Sequence, residues 1–216
     1  RPAFNLDETS IISDLNKISS KKIKYLMGYA SSLFHYADIA NKNDIKNIRL
    51  ESLISWGDKL FPHYRELIRK VFNAEVYDTY GACEGTMIAA ECENHKLHIM
   101  SPHVFIELLD KNGNEESPGE AGEVVVTRLD NYLMPLIRYK IGDLAIKSKN
   151  DIICKCNRQL PIIEKVIGRD TDIIYTKNGK PLIIHFFTGI FAHYPEIKQF
   201  QIFQKNDFKL EIRYLK

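Results

Sequence analysis

The chain has 216 residues, 44% of them hydrophobic, so it can bury one sizeable core or a large domain and part of another. Its 30 basic and 28 acidic residues are interspersed and give a formal net charge of +2, which offers no electrostatic case for nucleic acid or an anionic membrane as partner. It contains no apolar run of about 18 residues and no secretory leader pattern, so we expect no membrane span and a cytoplasmic location.

Up to about residue 72 the chain is predicted to be mainly helical. Apolar residues recur every three or four positions in SIISDLNKI, YASSLFHYADIANKN and PHYRELIRKVF, and Pro62 suits the first turn of the last helix. A short buried strand is predicted near residues 48–54, before a turn at Trp56-Gly57-Asp58, and a second strand over AEVYDTYG. This alternation favours parallel βαβ units.

After about residue 95 the pattern is typical of an antiparallel sheet or barrel. LHIMSPHVFIELLD, GEVVVTRL, LIRYKIGDLAIK and PIIEKVIG alternate apolar and polar residues, with turn signals such as KNGN and SPGEAGE between them. After GRDTD we predict a hairpin across Asn178-Gly179, a helix in HFFTGIFAHYPEI that ends near Pro195, and two strands in FQIFQKNDFKLEIRYLK. The predicted fold class is therefore α/β, of mixed α+β character.

The cysteines favour metal binding over disulfides. Cys154 and Cys156 are one residue apart, and Cys92 and His98 are six apart, so a close pair from each of two hairpins could converge tetrahedrally on zinc. In a reducing compartment this preference strengthens. Spacing alone leaves unrelated thiols equally open, and His95 is a rival ligand to His98, which we prefer because it begins a predicted strand.

Two acidic residues next to glycines are candidate site residues. Glu84 lies in the turn of YGACEG, as a solvated loop residue or as a metal- or phosphate-associated ligand at the carboxyl edge of a sheet. Asp143 follows Gly142 in LIRYKIGDLA, either in an ordinary turn or as an acceptor of two hydrogen bonds from a ribose diol. The residues themselves leave both pairs of alternatives open.

The order YGACEG, MPLIRYKIGDLA, VIGRDTDIIYTKNGK resembles that of the adenylate-forming ligases. The resemblance is to the phenylacetate–coenzyme A ligase branch, and within it to capsular polysaccharide biosynthesis proteins, and it runs from about residue 24 to the end of the chain. It implies an ATP-dependent acyl-coenzyme A ligase and the C-terminal part of such an enzyme. The implied regions are an α/β part of the large nucleotide-binding domain (1–100), a β-barrel-like subdomain (101–167) and the start of a small, mobile α+β domain (168–216).

The resemblance also implies roles for individual residues. Tyr80 and Gly81 would contact the adenine, Glu84 would be the catalytic carboxylate that serves Mg²⁺, and Asp143 would grip the ribose hydroxyls. Further nucleotide contacts would come from Gly57, Asp58, Arg158 and Arg169. Some relatives bind structural zinc, and the matching ligands here would be Cys92, His98, Cys154 and Cys156. The implied ligands are ATP or AMP, a small-molecule carboxylate and coenzyme A, and the resemblance allows a homodimer.

Two parts of such a ligase have no match in the sequence. The Ser/Thr/Gly-rich phosphate loop should precede residue 24, where TSIISDLNKISSKK is poor in glycine, and the catalytic lysine normally lies beyond Lys216. We therefore expect an incomplete ligase that is inactive alone. The alternative is a non-catalytic, zinc-stabilised module that binds a nucleotide or a protein. The acyl substrate and its acceptor (coenzyme A, a carrier protein or an amine) stay open.

Overall fold

The computed structural model describes residues 7–149, 153–170, 173–178, 181–183, 187, 190, 191, 194, 196, 197 and 199–216. The helices of this part are α1 (Glu8–Ser20), α2 (Ala30–Lys42) and α3 (Pro62–Phe72). The strands are β1 (Tyr25–Tyr29), β2 (Ser52–Trp56), β3 (Glu75–Ala82), β4 (Thr86–Glu91), β5 (Leu97–Ile99), β6 (Val104–Leu109), β7 (Ala121–Arg128), β8 (Tyr139–Lys147), β9 (Ile162–Arg169), β10 (Ile173–Tyr175), β11 (Pro181–Ile183), β12 (Gln199–Gln204) and β13 (Leu210–Leu215).

The helices form where the sequence signals predict them. In α1 the buried residues Ile11, Leu15 and Ile18 follow the helical repeat, and the carboxylate of Asp7 accepts a hydrogen bond from the first turn. Helix α3 coincides with the predicted segment because Pro62 occupies its start and Asn73, in the left-handed conformation, ends it.

Strands β1 to β9 form one sheet in the order β1-β2-β3-β4-β5-β9-β8-β7-β6. The pairs β1–β2 and β2–β3 are parallel, whereas β3–β4 and the pairs beyond it are antiparallel. The first half of β3 pairs with β2 and its second half with β4, so β3 joins the two kinds of sheet. The predicted mixed α/β fold class is confirmed, although antiparallel pairing begins before residue 95.

Two details of the parallel part differ from the sequence prediction. Strand β1 was not predicted, because YLMGY is too short to show a clear alternation. The predicted strand at 48–54 lies later in the structure, at Ser52–Trp56. Ile48 and Leu50 are buried in the irregular segment before it, so their hydrophobicity reflects core packing rather than strand pairing.

The core of the described residues consists of two hydrophobic clusters. One joins the three helices to β2 and β3 and includes Leu15, Leu53 and Phe72. The other lies in the antiparallel part and includes Ile88 and Val124. The sheet nevertheless runs through both regions, so the proposed division at residues 100 and 167 stays a prediction.

The end of the chain contains two antiparallel hairpins. The pair β10–β11 is the predicted hairpin, and β12 and β13 are the two strands predicted in FQIFQKNDFKLEIRYLK. Gly179 of the predicted turn and most of the predicted helix HFFTGIFAHYPEI lie outside the described residues, as do Thr171 and Asp172. No helix in the described part of the chain is long and apolar enough to cross a membrane.

Candidate functional site

Three predicted site residues from distant parts of the sequence meet at one carboxylate. The Tyr80 hydroxyl donates a hydrogen bond of 2.7 Å to Oδ2 of Asp143. The guanidinium Nε of Arg169 lies 3.2 Å from Oδ1 of the same group. Asp143 is only 9% exposed, so its negative charge needs a partner in this largely buried setting. The guanidinium of Arg169 supplies the balancing positive charge.

Strand pairing places these residues together. Asp143 in β8 and Arg169 at the end of β9 are direct cross-strand partners. Arg169 also donates a 2.6 Å hydrogen bond from Nη1 to the carbonyl of Ile141, which fixes the guanidinium against β8. Gly142 has a φ of +75°, so another residue there would be strained, whereas a Cβ would make only an ordinary contact with Arg169 Nη1 at 3.5 Å.

Tyr80 acts as a neutral hydrogen-bond donor. Burial raises the pKa of Tyr80 well above its usual range, and the negative charge of Asp143 raises it further. The hydroxyl therefore keeps its proton across the physiological pH range. A tyrosine in this position holds the Asp143 carboxylate without adding charge.

The glycine turn after Tyr80 presents Glu84 at the end of the β3–β4 hairpin. A Cβ at Gly81 would lie 2.9 Å from the carbonyl oxygen of Thr86, and Gly85 has a φ of +76°, so both positions require glycine. Within the described residues, the Glu84 carboxylate accepts no hydrogen bond and forms no ion pair. It is the kind of unengaged acidic ligand that a magnesium ion can use.

Gly57 and Asp58 have a clear structural role. Oδ1 and Oδ2 of Asp58 accept hydrogen bonds of 2.5 and 3.1 Å from the backbone amides of Ala30 and Ser31, which open α2. Asp58 thus caps a helix that has no local side-chain cap. Gly57 has a φ of +77°, and a Cβ there would lie 2.5 Å from the Tyr29 ring. Nucleotide contacts by this pair stay a prediction.

Asp78, two positions before Tyr80 on β3, is a largely buried carboxylate to which no role was assigned from the sequence. Its Oδ1 accepts a 2.6 Å hydrogen bond from the Ser55 hydroxyl, while its backbone amide donates to the Glu91 carboxylate at 2.9 Å. Burial raises the pKa of Asp78 to about 6, opposed by the Ser55 hydrogen bond. The two-residue strand period places the Asp78 side chain on the same face of β3 as that of Tyr80.

The raised pKa of Asp78 predicts how Asp78→Asn changes stability with pH. Because the pKa rises on folding from 3.8 to about 6, ionisation destabilises the folded state increasingly as pH passes from about 4 to above 6. Asp78→Asn has no carboxylate to ionise at this position, so its folded state is not destabilised in this way. Its unfolding free energy relative to wild type should therefore rise by about 2–3 kcal/mol between pH 4 and pH 7.5 in urea titrations.

Asp110→Asn is the matched control for this measurement. Backbone hydrogen bonds from Asn114 and Asn112 lower the pKa of Asp110 in an exposed turn. The ionised Asp110 carboxylate therefore stabilises the folded state at pH values above its pKa in the unfolded chain. The unfolding free energy of Asp110→Asn relative to wild type should therefore fall as the pH rises. A relative stability of Asp78→Asn that is flat with pH would contradict the prediction.

The structure brings the four predicted metal ligands together. The ligand atoms of Cys92, His98, Cys154 and Cys156 all lie within 4.8 Å of one another. Sγ of Cys92 is 3.6 Å from Sγ of Cys154, and Sγ of Cys156 is 3.3 Å from Nε2 of His98. Cys92, His98 and Cys154 are buried, and all four cysteines of the chain are free thiols.

Neighbouring groups orient this cluster. Nδ1 of His98 lies 3.1 Å from the carbonyl of Leu160, so Nδ1 carries the proton and Nε2 offers its lone pair to the cysteines. The amide of Asn94 donates to Sγ of Cys92 at 3.4 Å. The rival ligand His95 lies instead between the carboxylates of Glu91 and Glu75.

Arg158 contacts the cysteine cluster. Its guanidinium forms an ion pair with Glu93, which directly follows Cys92. Burial raises the pKa of Cys156, but hydrogen bonds from Arg158 and the neighbouring thiols outweigh it and lower that pKa to about 6. A nucleotide contact by Arg158 stays a prediction.

The donor set and spacing of the cluster fit a tetrahedral zinc ion. Two sulfurs that each lie about 2.3 Å from such an ion are about 3.8 Å apart, close to the separation of Cys92 and Cys154. Three thiols and one imidazole are ligands that zinc prefers, and four protein ligands leave no position for substrate. The arrangement suits a structural role.

A cavity of about 380 Å³ lies at the other end of the parallel strands, lined by Ile48, Arg49, Leu50, Phe72 and Asn73. These residues precede β2 and β3, whereas Tyr80 and Asp143 meet beyond the parallel pairing. The cavity contains none of the predicted site residues. The candidate site is therefore defined by the side chains around Asp143.

Sequence comparison identifies relatives of the chain, although no family model matches it. Protein CapK of Staphylococcus aureus is 24% identical over 176 residues, which are 81% of this chain and 38% of CapK. A phenylacetate-coenzyme A ligase of Thermus thermophilus is 33% identical over 134 residues, which are 60% of this chain and 30% of the ligase. The chain thus spans less than two fifths of either relative.

Solved structures share the fold. A crystal structure of 2-hydroxyisobutyryl-CoA ligase in the postadenylation state, in complex with R3-HIB-AMP, superposes with a TM-score of 0.79 at 20% identity, covering 99% of this chain and 47% of that one. The amide bond synthetase McbA from Marinactinospora thermotolerans gives a TM-score of 0.67 at 16% identity, covering 94% of this chain and 43% of that one.

Proposed function

This chain is a homologue of the phenylacetate-coenzyme A ligases and has the fold of the C-terminal part of adenylate-forming ligases, and from this premise we propose that it forms the nucleotide-binding part of an ATP-dependent carboxylate–thiol ligase. The observation that carries the proposal is the junction of Tyr80, Asp143 and Arg169. Reaction, substrates and partners of a whole ligase are part of the proposal, because the chain spans 30% of that relative.

The Asp143 carboxylate is suited to a ribose diol. Oδ2 accepts a hydrogen bond from Tyr80, and Oδ1 forms an ion pair with Arg169. Each oxygen keeps a lone pair for one further donor. Two adjacent hydroxyls could therefore bind side by side to one carboxylate. Tyr80 and Gly81 would lie at the adenine, and Arg169 would reach the ribose from the β9 side.

The reaction that this site would support has two steps. A substrate carboxylate oxygen attacks the α-phosphate of ATP, the bond to the β-phosphate breaks, and pyrophosphate leaves from an acyl-adenylate. A thiol sulfur then attacks the acyl carbon, loses its proton, and AMP leaves. In both steps the protein mainly positions reactants and offsets phosphate charge. Glu84 would hold the magnesium ion, which supplies charge neutralisation at the phosphates.

We propose coenzyme A as the thiol acceptor. One structural neighbour is a crystal structure of 2-hydroxyisobutyryl-CoA ligase in complex with 2-HIB-AMP and CoA. An amide bond synthetase shares the same fold, so the fold itself is compatible with an amine acceptor. The acyl group, a homodimer and a cytoplasmic location stay predictions.

We also propose that Cys92, His98, Cys154 and Cys156 bind one structural zinc ion. Their mutual distances, the fixed His98 tautomer and the buried thiols support this assignment. Zinc would join the β4–β5 hairpin to the segment before β9. The same cluster would also stabilise the alternative, a non-catalytic module that binds a nucleotide or only a protein.

Calorimetric titration separates the ligase from a module that binds only a protein. AMP without metal and ATP with Mg²⁺ are titrated into the 216-residue chain, with zinc content measured on the same sample. Saturable AMP binding and one zinc per chain are the expected results. A chain that contains zinc and binds neither nucleotide would overturn the ligase proposal in favour of the module.

A further inference from the structure

Arg128, the last residue of β7, lies against the turn that carries Glu84. Its Nη1 donates a hydrogen bond of 3.3 Å to the backbone carbonyl of Glu84. A Cβ built on Gly85 would lie 3.6 Å from the same nitrogen, so the guanidinium also covers the next residue of the turn. No role was predicted for this arginine from the sequence.

Arg128 is held in this orientation from its other side. Its Nε donates a 2.8 Å hydrogen bond to Oδ1 of Asp130, and Oδ2 of Asp130 lies 3.2 Å from Nδ1 of His103. The hydrogen bond from Arg128 lowers the pKa of Asp130, so this carboxylate is ionised at neutral pH. Because Asp130 engages Nε, the planar fork of the guanidinium directs Nη1 to the Glu84 turn.

The backbone fixes the base of this arrangement. The amide of Arg128 donates to the carbonyl of Leu136, and the amide of Leu129 donates to the carbonyl of His103, at 2.8 and 2.9 Å. The Arg128 side chain is 21% exposed, whereas those of Arg69 and Arg213, two other arginines that form ion pairs, are 51% and 65% exposed. Its position is therefore set before any ligand binds.

We propose that Arg128 is a positioning residue for Glu84, an inference that rests on the proposed ligase function. The Glu84 carboxylate itself has no partner among the described residues, so its location depends on the conformation of the turn, in which Gly85 has a φ of +76°. Arg128 restrains that turn through the Glu84 carbonyl. Its positive charge also offsets repulsion between Glu84 and an approaching triphosphate.

The test compares ATP binding with Mg²⁺ and AMP binding without metal in Arg128→Gln. Because Glu84 acts through the metal, the variant should weaken ATP–Mg²⁺ binding about tenfold and change metal-free AMP binding by less than about twofold. Arg128→Lys keeps the charge but loses the fork, and should recover part of the ATP–Mg²⁺ affinity. Hydrogen exchange at residues 83–86 should accelerate in Arg128→Gln while other segments stay unchanged.

Arg213→Gln is the matched control, since Arg213 also pairs through Nε with an acidic residue two positions away, at 2.7 Å, outside the site. It should leave both affinities unchanged. Equal losses for AMP and ATP–Mg²⁺ in Arg128→Gln, no loss, or unchanged exchange at 83–86 would each overturn the positioning role. AMP binding that is absent in wild type or survives Asp143→Ala would instead overturn the proposed function, and the Arg128 role with it.

Discussion

Asp143→Ala is expected to weaken AMP binding by about a hundredfold or more. The substitution removes the acceptor of two hydrogen bonds to the ribose, and each bond to a charged group contributes about 1.5–3 kcal/mol. It also frees the Tyr80 hydroxyl and the Arg169 guanidinium, which meet at this carboxylate in the structure. Calorimetric titration of AMP into wild type and variant measures the effect.

Two further variants separate binding from folding in this experiment. Asp143→Asn keeps the shape and one acceptor, so it should retain the fold and show an intermediate loss of AMP affinity. Asp110→Ala removes an exposed aspartate from a turn outside the site and should bind AMP as wild type does. Wild-type affinity in a correctly folded Asp143→Ala would rule out the ribose assignment.

Loss of Cys154, one of the four proposed zinc ligands, is expected to have the largest effect on stability. Structural zinc sites contribute folding free energy directly, and a buried ligand such as Cys154 cannot be replaced by solvent. Cys154→Ser should abolish stoichiometric zinc and lower the melting temperature by about 10 °C, as should removal of zinc from wild type by a strong chelator. Metal analysis and thermal unfolding monitor the two quantities.

Cys83→Ser is the control for the zinc experiment. Cys83 is an exposed free thiol outside the cluster, beside Glu84, so its replacement should keep one zinc per chain and the wild-type melting temperature. Wild type purified without zinc, and equally stable when zinc is supplied, would eliminate the Cys3His assignment. Zinc retained by Cys154→Ser would show that the ion binds elsewhere.

The sequence by itself determined the elements whose signals are local. Helix α3 was predicted to its last residue because its apolar repeat, Pro62 and the following Asn73 act within a few residues of the backbone they shape. The glycines around Tyr80 and Glu84 predicted a tight turn for the same reason. The sequence also placed Cys92 with His98 and Cys154 with Cys156 as two close pairs of candidate ligands, with His95 as a rival to His98, because each pair lies in one short segment; the fold brings the four preferred residues together.

Only the tertiary structure decided which distant residues meet. Tyr80 and Asp143 are 63 positions apart, and Asp143 reaches Arg169 through the register of β8 against β9, which no single segment encodes. The capping of α2 by Asp58 and the contact of Arg128 with the Glu84 turn likewise depend on strand order. Local sequence patterns describe interactions over a few residues, whereas register and strand order follow from packing of the whole sheet.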